Sequence, residues 1–253
     1  MSNDLNIFYP TDNNVIDFIK NFDAKYDKKL SNYFSFSRVV SLSDFHRLIQ
    51  QMNSNNFSKV AVVSGTIKEP ELKLIKYEHV DILDYEEDSG LFDLDVDWKT
   101  IHNSHNNVSK FYKESEYDFV FCNQVFEHIF SPIQAIKNIH YVTKKNGYVW
   151  ISVPTINCIH GDPYFYSAGY HPRYLERLCK GSGFEVIHIG AFGSRKYLAH
   201  AVQGHWCFHD ELKAGFRSKR DFAYPYFAIQ DGSKNNTSGK FITDTWALLK
   251  KIK

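Results

Sequence analysis

Several things are scarce in this sequence, and each shortage removes a class of function. Cysteine occurs 4 times in 253 residues. Cys122, Cys158, Cys179 and Cys207 are scattered and form no Cys-x-x-Cys pair. Neither a disulfide framework nor a thiolate metal site is therefore expected, and a reducing cytoplasm is the expected compartment. An excess of one charge is also missing, with 30 Lys and Arg against 29 Asp and Glu. Chains that grip phosphate backbones usually carry a basic excess, so nucleic acid is not the expected partner. The local group Lys213, Arg217, Lys219 and Arg220 reads as solvated surface. No window approaches the ~18 apolar residues of a membrane span. The opening MSNDLNIFYPTDNN has no cationic n-region followed by an apolar h-region, so neither a membrane partner nor a secretory leader is expected.

What is present is the composition of a globular protein, 43% hydrophobic and 23% charged. Residues 1–57 read as an N-terminal helical appendage, with Ser43-Asp44 capping a helix that carries Phe45, Leu48, Ile49 and Met52. Residues 58–253 read as the main domain. KVAVVSG is a buried strand stopped at Gly65, EHVDILDY a second and SGLFDLDVDW a third. A short helix, TIKEPELKLI, joins the first two, and a polar linker, TIHNSHNNVSKFYKES, comes after the third. YDFVFCN is a fourth strand, KNGYVWISVP a fifth, EVIHIGAF a sixth and DTWALLKK a seventh. Two amphipathic helices intervene. SPIQAIKNIHYVTK places Ile133, Ile136, Ile139 and His140 on one face, and PRYLERLCKGSGF stops at its glycines.

Strands alternating with helices predict a mostly parallel sheet of α/β type with helices on both faces. Right-handed crossovers bring the carboxyl ends of such strands to one edge, where ligands bind. The polar ends Gly65, Asp84, Asp95 and Asn123-Gln124 are thus expected to meet in one crevice.

The segment YDFVFCNQVFEHIFSPIQAIKNIHYVTKKNGYVWISVP resembles the class I S-adenosylmethionine-dependent methyltransferases, from their fourth motif through the next helix and strand. An acid precedes a strand with a polar end, then come a Glu-His pair, an amphipathic helix, Asn-Gly and another strand. HGDPYFYSAGYHPRYLERLCKGSGFEV and DTWALLKK are similar to later segments of the family, so the likeness runs in order over about residues 58–253. The first motif departs from the pattern: where the family has Gly-x-Gly-x-Gly, this chain has VVSGTIKEPEL, with Gly65 alone. The resemblance implies a Rossmann-like sheet of seven strands and S-adenosylmethionine as cofactor.

On that resemblance, Ser64 and Gly65 form the cofactor turn and Asp84 accepts from the ribose hydroxyls, as an acceptor-only carboxylate suits a diol. Asp95 accepts from the adenine amino group beside a backbone N–H of Val96, with Asp93 and Asp97 sharing its face. Asn123 and Gln124 line the methionine end. A sulfonium is already an activated donor, so the protein's work is to align the acceptor and remove its proton. Imidazole titrates near neutrality, which makes His128 the first candidate base and His160 the second. The loop after the fifth strand, with Glu127 beside it, reads as the acceptor pocket through Asp162, Tyr166, Tyr170, His171 and Arg173.

The expected activity is methyl transfer to a small polar acceptor, oxygen before nitrogen, with a sugar, nucleotide-linked sugar or cell-surface precursor as the acceptor class. Residues 1–57 are expected to contribute to a lid, and the protein to act as a monomer or homodimer. No resident metal is expected. Two other readings stand beside this one: a metal-dependent glycosyltransferase using the acids of DLDVD, and a relative that has lost the cofactor. His205 and His209 are spaced four apart, as helical ligands can be, but no acid accompanies them at a recognised spacing.

Overall fold

The central strands contain no polar side chain over Val60–Val63 or Phe119–Cys122, because both faces of the sheet are covered and all eight residues are buried. The computed structural model describes residues 7–8, 12–26, 36–52, 55–86, 92–104, 113–193, 198 and 242–252. The sequence features at His200, His205, His209, Cys207 and Lys213–Arg220 lie outside these residues. Seven strands form one sheet: β1 (Ile7–Phe8), β2 (Asn56–Val63), β3 (Lys76–Leu83), β4 (Tyr117–Asn123), β5 (Thr143–Pro154), β6 (Phe184–Phe192) and β7 (Asp244–Lys251). Their order across the sheet is β1-β6-β7-β5-β4-β2-β3. Neighbours from β3 to β5 run parallel, as do β1 and β6, while β7 is antiparallel to both β5 and β6. Strand order reverses between β2 and β4, which makes their carboxyl ends the topological switch point.

The α/β class and the mostly parallel sheet agree with the sequence reading, but the membership differs. Of SGLFDLDVDW, the described residues form no strand: Phe92 to Asp97 form turns that lead into α3 (Trp98–Ser104). The alternating acids that imitate a strand instead accept backbone hydrogens of the turn. The seventh strand comes from Ile7–Phe8, which joins the opposite edge. The stretch read as a polar linker begins with α3, whose Trp98 is completely buried.

Two cores lie on opposite faces of the sheet, and the period-two alternation of the strands sorts residues between them. Val120, Cys122, Val149, Ile151, Ala247 and Leu249 face α4 (Pro132–Val142) and α5 (Pro172–Gly181). Phe119, Phe121, Trp150, Trp246 and Leu248 face α1 (Asp12–Tyr26) and α2 (Phe36–Gln51). Residues 1–57 therefore supply the cover of one sheet face as well as β1. The α2 helix begins well before Ser43-Asp44, because its apolar stripe already includes Val39, Val40 and Leu42. On α4, Ile133 is 56% exposed, and the buried face is Ala135, Ile136, Asn138, Ile139 and Val142.

Asp44 is the joint between α2 and the sheet. Its carboxylate, 1% exposed, accepts from Trp246 Nε1 (2.8 Å), His188 Nε2 (2.6 Å) and the Arg47 guanidinium (2.8 and 3.0 Å). Trp246 reaches it across Gly190, its partner in the β6–β7 ladder. A Cβ on Gly190 would sit 2.0 Å from Trp246 Nε1. Gly190→Ala should therefore force the indole off the carboxylate and lower stability by about 2–4 kcal/mol, as overpacking and a broken buried hydrogen bond together cost; urea unfolding measures this.

His140 supplies a pH dependence. Burial, reinforced by the Lys251 cation, lowers its imidazole to about 4. The unfolded chain takes up a proton below about 6.5 that the folded chain refuses until about 4. This contribution is whole above pH 6.5 and is lost as pH falls toward 4. Thermal unfolding from pH 7 to 4.5 should show a steeper loss in the native protein than in His140→Gln.

Candidate active site

The turn that leaves β2 is tight. Ser64 takes a left-handed conformation, φ 48°, and donates its N–H to Leu83 O (2.9 Å). A Cβ on Gly65 would meet Val62 Cγ1 at 2.6 Å and Glu69 Oε1 at 3.3 Å. Glu69 is held there by Arg38 of α2 (3.1 Å), which also binds the fully buried Glu71 (2.8 Å). Burial raises the Glu69 carboxyl, the neighbouring Glu71 raises it further, and Arg38 opposes both. One glycine and a tethered acid thus occupy the position of the glycine-rich turn.

Across the switch point, β4 ends at Asn123 and Gln124. The Asn123 Oδ1 accepts from Ser152 Oγ (2.9 Å), and its buried amide reaches the Glu69 carboxyl and helps to hold it down. Gln124 is also left-handed, φ 55°, and its Nε2 donates to Asp244 Oδ1 (3.3 Å). Burial pushes Asp244 up to about 6, and the charge of Glu127 adds to that. Non-glycine residues in this region cost roughly 1–3 kcal/mol each and collect at functional sites. Here Ser64 and Gln124 flank the switch point.

Asp84 directly follows β3 and is exposed. Its neighbour Tyr85 packs edge-on against Tyr164, ring centroids 6.4 Å apart, so the ends of β3 and the loop after β5 meet over the crevice. Asp95 has a structural duty: its two oxygens accept from Phe130 N (3.1 Å) and Ser131 N (2.5 Å) at the start of α4. Val96 lies beside it with its carbonyl accepting from Asn138. Asp93 accepts from Asp95 N, and Asp97 from Lys99 N and Thr100. The three acids do not share a strand face. Each accepts hydrogens from a turn or a helix start.

The Glu-His pair of the fourth motif lies in a 3-10 turn, Phe126–His128. Glu127 is 1% exposed, and its Oε2 has no hydrogen-bond partner. Burial pushes it up to about 7, opposed by the nearby His160. Its Oε1 lies 4.0 Å from His160 Nε2. The two imidazoles meet edge-to-face with centroids 4.8 Å apart. His128 Nδ1 lies 2.8 Å from Tyr164 O, and His160 Nδ1 lies 2.9 Å from Cys158 O. A carbonyl only accepts, so both rings carry hydrogen on Nδ1 and keep a free lone pair on Nε2. Gly161, at φ 65°, lets the loop close over His128: a Cβ there would be 3.0 Å from His128 Cε1.

The same loop lines a cavity of about 570 Å³ bounded by Phe130, Tyr166, Tyr170, His171 and Tyr174. Tyr166 is half exposed and packs edge-on to the exposed Phe130, at 5.7 Å. Tyr170 presents its ring, but its hydroxyl is occupied by Phe126 O (2.8 Å). His171 caps α5 by accepting from Arg173 N (3.2 Å), and Asp162 is exposed on the loop beside His160. Sequence reasoning missed Arg38, Glu69, Phe130 and Asp244. Arg38 and Asp244 lie far along the chain from the motif residues they meet, and no local pattern marks either.

This architecture defines a Rossmann-like α/β domain with a candidate site at the switch point. A family model described as "Methyltransferase domain" matches residues 54–189, more than half of the chain. The chain belongs to that methyltransferase family. No curated protein matches significantly. Among solved structures it is similar to the 4+2 cyclase SpnF, at 11% identity and TM-score 0.46 over 96% of this chain and 97% of that one. It is similar to an S-adenosylmethionine-dependent methyltransferase from Archaeoglobus fulgidus, at 14% and 0.45 over 92% and 99%. A third is the Burkholderia thailandensis 1,6-didemethyltoxoflavin-N1-methyltransferase, at 10% and 0.46 over 94% and 87%. The residues at the edge fit S-adenosylmethionine: an exposed acid after β3, and a turn at Gly65 with no room for a Cβ.

The carbonyl contacts set a spectroscopic expectation. Long-range nitrogen–proton correlation spectra above pH 7.5 should show His128 and His160 both in the Nδ1–H form. Protonated Nε2 on either ring would contradict the geometry.

Proposed function

We propose that this protein moves the methyl group of S-adenosylmethionine to a hydroxyl of a small polar acceptor, with a sugar or nucleotide-linked cell-surface precursor as the acceptor class. The observation that carries the reading is the group Glu127, His128 and His160, which adjoins an aromatic cavity at the carboxyl edge of the sheet. Asp84 holds the ribose hydroxyls, Asn123 and Gln124 meet the methionine end, and Asp95 and Val96 border the adenine. Glu69 beside Gly65 is placed to accept from the cofactor's ammonium group. When bound, the cofactor supplies a methyl group already activated by its sulfonium.

The chain's own residues then do two things. Tyr166, Tyr170 and Phe130 offer aromatic faces to the acceptor, with His171 and Arg173 at the rim, which suits the apolar face of a sugar ring. One free Nε2, of His128 first and His160 second, takes the acceptor's proton. The buried Glu127 carboxyl stabilises the imidazolium that forms. Oxygen is preferred to nitrogen as the acceptor atom because a hydroxyl must lose its proton as it attacks.

Calorimetric titration with S-adenosylhomocysteine tests the cofactor turn, with micromolar binding expected. No binding at millimolar ligand, with and without candidate acceptors, would sink the reading. With an acceptor in hand, His128→Ala or His160→Ala should lower turnover by about 100-fold or more, as loss of a general base does, and leave that binding nearly intact. Unchanged turnover in both variants would remove the histidines from the chemistry.

A further inference from the structure

We propose that Glu127, His128 and His160 form a binding site for one divalent first-row transition ion, of the Mn²⁺, Fe²⁺ or Zn²⁺ class, beside the loop that lines the aromatic cavity. One carboxylate oxygen and one nitrogen from each ring all lie within 4.8 Å of one another. Ligands held ~2.1 Å from a common ion are about 3–4 Å apart, so the widest pair needs to close by about 1–2 Å. His160 lies on a loop and is exposed enough to make that movement, whereas Glu127 is fixed.

Two further observations point to an ion. The first is the orphaned Glu127 Oε2, almost fully removed from water with no donor to receive. Buried acceptors are rarely left so, and each calls for an explanation such as an ion. The second is the way both imidazoles are held. Metal-binding histidines characteristically give their other N–H to a carbonyl or carboxylate, which fixes the ring and frees the ligating nitrogen. Tyr164 O and Cys158 O do this for His128 and His160. Two imidazoles and one carboxylate favour a transition ion over Mg²⁺, which prefers an all-oxygen shell. Three protein ligands leave further positions open to an added ligand.

The binding site stands on this geometry alone. Its catalytic use rests on the methyl-transfer reading. With the ion present the histidines are ligands rather than bases, and a hydroxyl of the acceptor takes an open position. There the O–H bond is acidified and its proton passes to water. The oxygen's electron pair forms the new bond to the methyl carbon, and the carbon–sulfur bond breaks with its pair left on sulfur.

The test uses the full chain, stripped with a chelator and titrated with Zn²⁺ and Mn²⁺ alone by calorimetry, and with Co²⁺ followed by visible absorption. One equivalent should bind with micromolar or tighter affinity. His160→Ala, an exposed site that should leave folding intact, and Glu127→Gln should each weaken binding at least tenfold. Absence of stoichiometric binding, or binding unchanged in both variants, would overturn the site. Failure of the methyl-transfer reading would show separately, as absence of S-adenosylhomocysteine binding to the same preparation.

Discussion

The active edge is organised by a carboxyl group taken out of water. Glu127 lies beneath the loop after β5, and its backbone carbonyl accepts from Tyr166 N and Ser167 N, so the loop is anchored to the residue it buries. That anchor sets where His160 falls, where Gly161 closes over His128, and where Tyr166 and Phe130 open a cavity. An ionised carboxylate in this place is costly unless something cationic answers it. His160 Nε2, 4.0 Å away, answers only in the protonated ring, and burial dominates. The charge of Glu127 in turn raises the buried Asp244, so an added positive charge would be welcome on the same electrostatic grounds.

The back of the sheet is tied down by a second buried carboxylate, with a different outcome. Asp44 has all its partners inside the protein, and each comes from a different part of the chain: Arg47 from its own helix, His188 from β6 and Trp246 from β7. A satisfied polar hub of this kind fixes how α2 lies on the sheet, where a purely apolar contact would let it slide. Through Arg38 the same helix then reaches Glu69 in the turn after β2. The α2 helix and the turn after β2 are therefore held together by side chains.

The sequence and the structure disagree most clearly at DLDVD. Alternating acids and hydrophobics have the period of a strand, but Asp93, Asp95 and Asp97 spend their oxygens on backbone N–H groups of a turn and of two helix starts. Short polar side chains compete with the sheet ladder for these donors. Periodicity does not reveal which wins. The same limit applies to Ser43-Asp44, a capping pair by type that sits inside a helix and serves the sheet.

The chain alone determined the α/β class and six of the strands, since buried parallel strands must be apolar runs and their crossovers must carry helical stripes. It also placed Gly65, Asp84 and Asn123-Gln124 at the carboxyl ends of parallel strands, whereas Asp95, expected with them, lies in a turn. Only the tertiary structure decided that Ile7–Phe8 completes the sheet, that Asp95 caps α4, that Glu69 is drawn to Gly65 by Arg38, and that Glu127, His128 and His160 face one point. Each of these depends on contacts between residues some thirty to almost two hundred positions apart. Local propensity cannot encode such contacts, because the partner's position is set by the packing of everything between them.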